Sequence, residues 1–125
     1  KDAGFSYART VKEITTKYPK DLFQANTSIH AFPLSIRGVA GEIKYALRGE
    51  IELIPNLFTK DWEVMAKRIF DYVLKNGGTF HLWGHSWEVE KHNEWDKLER
   101  VLAYISNKQD VKYLINSKII GGLRK

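Results

Sequence analysis

Along the chain the spacing of apolar and polar positions changes several times, and each change marks an element. Phe5, Tyr7 and Arg9 alternate with Ser6, Ala8 and Thr10, the two-residue period of a short strand. Before it, residues 1–3 followed by Gly4 read as the end of a helix with its glycine stop. "KYPKD" at 17–21 reads as a turn, because Pro19 lacks an amide donor and restrains the residue before it. "LFQANTSIHAF" at 22–32 predicts a second strand, ended by Pro33. The stretch 35–55 carries Gly38, Gly41 and Gly49, each of which weakens a helix, so it reads as a loop with a short helix around 42–47.

From Thr59 the pattern is helical. Thr59 or Asp61 can cap amide donors that would otherwise be unpaired. Trp62, Met65, Ala66, Ile69, Phe70, Val73 and Leu74 then form one apolar face, and Asn76 to Gly78 end it. "TFHLWG" follows as a short strand. A second helix is predicted over 93–107, with Asn93 as cap, Asp96 favouring the dipole, and Trp95, Leu98, Val101, Leu102 and Ile105 as its stripe. "DVKYLI" at 110–115 predicts a last strand, and 116–125 a short helix or tail. This alternation of helices and strands with glycine-marked connections implies parallel βαβ units. The expectation is an α/β fold forming one domain over residues 1–125, or part of one.

Composition narrows the chemistry more than the fold. The chain has 125 residues and no cysteine, which removes disulfides, cysteine-ligated metals and a cysteine nucleophile. The formal charge of +5 arises from 20 basic and 15 acidic residues. The cations are scattered, so anionic partners are favoured weakly and no nucleic-acid motif is present. No apolar run reaches the roughly 20 residues that a membrane-spanning helix needs. Nothing in the sequence assigns a compartment.

"TFHLWGHSWEVEKHNEW" at 79–95 holds three of the four histidines and three of the four tryptophans. His81 and His85 are four apart, but Gly77, Gly78 and Gly84 oppose a helix through both. On a strand, His81 and Trp83 share one face, and His85 falls just beyond the strand's carboxyl end. Parallel sheets place ligands and catalytic groups at that edge, and a histidine there suits acid–base work. Ser86 and Glu88 can orient its imidazole, and Trp83 and Trp87 can wall or stack a sugar ring. Against this stand plainer readings: His81 as a buried, hydrogen-bonded strand residue, His92 at the surface beside a helix cap, His30 a strand or strand-end residue with its role left open, and the tryptophans as core. His81, His85, Glu88 and His92 match no compact metal motif, so no metal ligands are assigned. "GHSWE" lacks the second glycine of a nucleophile elbow.

"FHLWGHSWEVEKHNEWDKLERVLAYIS" resembles the last catalytic strand and following helix of polysaccharide deacetylases, the chitin-deacetylase-like carbohydrate esterases. "GFSYARTV" is similar to an internal strand of that domain, and "DVKYLINSKII" to its final segment. The resemblance implies a portion of a distorted (β/α) barrel with parallel strands and flanking helices. It also implies hydrolysis of N-acetyl groups on a glycan with one divalent metal, zinc being the expected ion, held by the complete domain and not by this chain alone. By it His85 is the acid that protonates the leaving amine, Leu82 and Trp83 line the acetyl pocket, Arg9 faces substrate, and Arg9 is equally readable as a structural ion-pair partner.

The family's paired aspartates, its two metal-binding histidines and its arginine loop have no counterpart in this sequence and are expected upstream of Lys1. The chain thus reads as the C-terminal portion of such a domain, inactive alone. A half barrel exposes a strand edge and an apolar face, so a missing N-terminal half or self-association is expected, with no nucleic-acid or membrane partner. The other readings are a non-enzymatic α/β carbohydrate-binding or protein-interaction module, and a basic protein with an anionic partner.

Overall fold

In a computed structural model, residues 3–119 are described. Helices surround a small parallel sheet of two strands, β1 (Ile29–His30) and β2 (Leu82–Trp83), paired Ile29 to Leu82 and His30 to Trp83. The chain is therefore α/β in class, with much less strand than the alternating pattern predicts.

The helix α2 (Trp62–Asn76) organises the core. Asp61 caps it by accepting from the Glu63 amide, and Gly77, at φ 78°, ends it. Its face of Trp62, Met65, Ala66, Ile69 and Phe70 is buried, while Leu74, one turn further on, is exposed. This face packs on β1, on a 3-10 segment (Ile51–Leu57) and on α4 (Trp95–Ile105). Leu53, Leu57, Ile29, Ala31, Ala46, Ile14 and Val101 complete the cluster. Burying one such large side chain contributes about 1.5–3 kcal/mol, so α2 is the element the fold can least lose. Trp62 also donates its indole N–H to Glu94 Oε2 at 3.1 Å.

Several expectations are corrected. The glycine-rich 35–55 stretch forms a full helix, α1 (Ile36–Ala46), running through Gly38 and Gly41. Ser35 caps it by accepting from the Gly38 amide at 3.1 Å, and Ala46 and Ile43 pack on the core, which offsets the glycine cost of about 1 kcal/mol each. The helix expected over 93–107 forms as α4, with Glu94 at its cap position, and a short helix that was not expected, α3 (Ser86–Lys91), precedes it. Asn93 adopts φ 53° and so separates the helices rather than capping the second. In α4, Val101 is buried and Trp95 and Leu102 are half exposed.

The first predicted strand contracts to a single parallel bridge, Arg9 to Ala25. Residues 8–15 still run beside 22–28, with Thr10 N–H donating to the Ala25 carbonyl at 2.8 Å and Thr27 N–H to that of Lys12 at 3.0 Å. Phe5 and Val11 remain 71% and 81% exposed, so one side of this segment lacks the packing that would complete a strand. The second strand is shortened by a 3-10 turn (Leu22–Gln24) to β1 alone. The 110–115 stretch forms no strand among the described residues; Asp110 sits in a turn at φ 63°, and a 3-10 turn (Asn116–Lys118) follows. The rest of the expected tail at 120–125, and the first two residues of the expected N-terminal helix end, lie outside the described residues.

Candidate functional site

Because β1 and β2 are parallel and in register, both chains leave the sheet at the same edge. His30 and Trp83 are the last residues of the two strands, and their rings stack at 4.0 Å with an interplanar angle of 8°. Gly84 comes next; a Cβ there would lie 3.1 Å from that of Ala31, so the crossing has room for a glycine and little more. His85 follows in extended conformation (φ −112°, ψ 130°) at the cap position of α3.

The exposed His85 ring is held among aromatic neighbours. It stands edge-on to Trp83 at 5.4 Å and to His30 at 6.1 Å, and lies nearly parallel to Trp87 at 5.6 Å. Neither ring nitrogen makes a hydrogen bond among the described residues, so both are open to a ligand. Trp87 is 61% exposed and extends this aromatic surface outward. The bridge to Ala25 fixes the backbone of the exposed Arg9, whose Cζ lies 4.3 Å from the centre of the Trp83 ring, a cation–π contact. Leu82 stands apart: adjacent strand residues point to opposite faces, and it packs on the hydrophobic core. Arg9, Trp83, His85 and Trp87 therefore come together, and Leu82 supports them from behind.

His30 and Glu88 take different roles from those expected, and Glu13, Phe32 and Glu42, which the sequence does not single out, complete the cluster. His30 Nε2 lies 2.8 Å from Glu88 Oε2, and its Nδ1 lies 3.9 Å from Glu13 Oε1. Glu88, expected to orient His85, thus orients His30. Phe32 stacks on the His30 ring at 5.4 Å, and His92, exposed at the end of α3, meets Phe32 edge-on. Glu13 reaches across to Glu42 on α1, which brings two carboxyl groups together in a half-buried position.

Burial pushes the Glu42 carboxyl up to about 8, with Glu13 beside it adding to the shift. Burial also raises Glu13, partly countered by His30, by its contacts with Glu42 and Trp83, and by Arg9. Near neutral pH the pair holds a shared proton, because two charges so close and so poorly solvated cannot both be carried. Glu42 Oε2 and Trp83 Nε1 are buried without a hydrogen bond of ordinary geometry, although the indole sits beside Glu13. Burial depresses His81, and the Arg9 guanidinium depresses it further. Its backbone joins the sheet edge, with His81 N–H donating to Ser28 Oγ at 3.0 Å.

The local sequence gives no hint of this grouping, since Glu13, His30, Glu42 and Glu88 are far apart in the chain. A polar glutamate between the apolar Val11 and Ile14 is the one available signal. Among the described residues, no three His, Asp or Glu side chains converge as a metal requires, so this chain's residues do not fit the divalent ion that the resemblance implies. No helix among them is long and apolar enough to cross a membrane. No family model, curated protein or solved structure matches the chain.

Proposed function

We propose that this chain is the C-terminal portion of a polysaccharide deacetylase domain, a distorted (β/α) barrel that hydrolyses N-acetyl groups of a glycan. The observation that carries the reading is His85. Its ring is exposed, free of hydrogen bonds to described residues, and bracketed by Trp83 and Trp87 at the carboxyl edge of a parallel strand pair. The resemblance of "FHLWGHSWEVE" to the family's last catalytic strand assigns the acid role to the same residue.

In this role the His85 imidazolium donates its proton to the amide nitrogen as the C–N bond breaks. The bonding pair stays on nitrogen, the sugar leaves as a free amine, and the imidazole is left neutral. Trp87 stacks the sugar ring and Trp83 walls the acetyl side, with Arg9 holding the Trp83 ring in place. His30, fixed by Glu88, backs the same wall. The ligands of the family's divalent metal, expected to be zinc, belong to the N-terminal half of the domain.

The test has two arms. The purified chain alone releases no acetate from N-acetylglucosamine oligomers; robust, chelator-sensitive release would overturn that expectation. Under this reading, paired aspartates and a histidine-rich motif are expected in the coding sequence upstream of Lys1; an upstream frame without them would remove the deacetylase reading.

The second reading is a carbohydrate-binding module without catalysis. It is favoured by the exposed Trp87, which with His85 forms a platform that binds a sugar face without further chemistry. Glycan binding that survives His85→Ala but fails in Trp83→Ala or Trp87→Ala selects it. In either case the exposed Phe5, Val11, Ile36 and Phe58 favour a missing N-terminal half or self-association as what covers them.

A further inference from the structure

Away from the strand edge, residues 12–26, the end of α1 and the chain just after it line an open pocket of about 300 Å³. Its wall carries Lys12, Lys17, Lys20 and Arg48 against Asp21 and Glu50, an excess of two positive charges. Lys12, Lys17 and Lys20 are already close in sequence, and the fold adds Arg48 to them.

Most of the opposing groups are already engaged. Lys17 donates to the Gly49 carbonyl and pairs with Glu50 at 3.6 Å. Glu50 also accepts from the Thr15 hydroxyl at 2.7 Å, and Asp21 accepts from the Phe23 amide at 2.9 Å. Lys12, Lys20 and Arg48 form no ion pair among the described residues. Three cations facing one cavity without counter-charges repel one another, and a bound anion relieves that repulsion.

A second observation points to the same place. Ile14, buried in the cavity wall, adopts φ 50°. For a β-branched residue this backbone is an outlier costing about 1–3 kcal/mol, and such strain gathers at ligand sites. The remaining wall includes the rings of Tyr18 and Tyr45 and the amides of Gln24 and Asn26. Rings and amides of this kind take sugar faces and hydroxyls. The volume is at the lower end for small-ligand sites, enough for one sugar unit and not for a polymer.

We infer that this cavity binds a phosphorylated sugar, with Arg48 and Lys20 holding the phosphate and the tyrosines and amides holding the ring. Arginine's planar fork matches phosphate oxygens in pairs, and lysine adds a point charge. The site is separate from the His85 edge and independent of the reading given to it.

Isothermal titration of the full chain with glucose 6-phosphate at low salt tests the inference, with glucose and inorganic phosphate as controls. Saturable binding of glucose 6-phosphate is expected, with at least tenfold weaker binding of either control. The double substitution Lys20→Ala with Arg48→Ala is expected to weaken binding at least tenfold. Both side chains are solvent-facing, and an unchanged thermal melt confirms that the variant folds. His85→Ala is expected to bind like wild type, which keeps this site distinct from the strand edge. No saturable binding of glucose 6-phosphate, or a double variant within twofold of wild type, overturns the inference. Inorganic phosphate binding as tightly as the sugar phosphate overturns the assignment of a sugar, and loss of binding in His85→Ala overturns the assignment of the cavity.

Discussion

Glu42→Gln replaces a carboxyl by a neutral group of the same shape and thereby isolates the Glu13–Glu42 pair. In the folded chain, burial and the neighbouring Glu13 push Glu42 from an ordinary 4.5 up to about 8. Between those values the folded chain retains a proton that the unfolded chain has released. Raising the pH through this window therefore favours unfolding, and above about 8 the loss is complete. At 1.36 kcal/mol per pH unit, the full shift sets a ceiling of roughly 5 kcal/mol. Solvent reaching the half-buried pair and small movements apart reduce this to the order of 2 kcal/mol.

The glutamine variant has no proton to lose at this position, and Glu13 then ionises without a second charge opposing it. Urea unfolding at intervals from pH 5 to pH 9 should show nearly equal stabilities at pH 5. By pH 8.5 the variant should be more stable by about 2 kcal/mol. Taking the difference between the two proteins cancels titrations they share, such as that of His81. A difference that stays constant across the range would refute the paired-carboxyl reasoning. A difference that grows toward low pH would reverse its sign.

Gly78→Ala should destabilise the chain by at least about 2 kcal/mol, measured by urea unfolding. Its φ is 123°, and an added Cβ would lie 2.3 Å from the Thr16 carbonyl oxygen, which is backbone and cannot step aside. Trp62→Ala should cost about 3–5 kcal/mol, because the side chain is fully buried at the start of α2 and its indole bond to Glu94 is lost as well. Sedimentation across micromolar concentrations should show self-association of the isolated chain, driven by apolar side chains such as Phe5 and Val11; a strictly monomeric mass would count against it.

How far the sequence could be read depended on how locally each feature is determined. The helix α2 was readable because cap, apolar face and glycine stop all lie within one stretch and agree. The helix α1 was not, because propensity argues against Gly38 and Gly41, while packing of Ile43 and Ala46 on distant residues decides the matter. Asn93 shows a different ambiguity: asparagine is favoured both at a helix start and in the left-handed conformation that ends one, and here the second prevails.

At the site, His85 could be anticipated from its glycine and the strand before it, because edge and turn are local properties. His30 could not, since its importance comes from register with Trp83 and from Glu88, 58 positions away. The resemblance pairs Leu82 with Trp83 in the acetyl pocket, whereas alternation along a strand sends the two to opposite faces.

The central claim is that the edge holding His85 takes an N-acetylated sugar. Titrating an N-acetylglucosamine tetramer into the chain, while following the His85 ring protons and the Trp83 and Trp87 indole N–H signals by NMR, tests it directly. Saturable shifts concentrated on these three residues, abolished by Trp87→Ala, are expected. Signals that stay fixed up to millimolar sugar, or shifts that gather instead around Lys20 and Arg48, would contradict it.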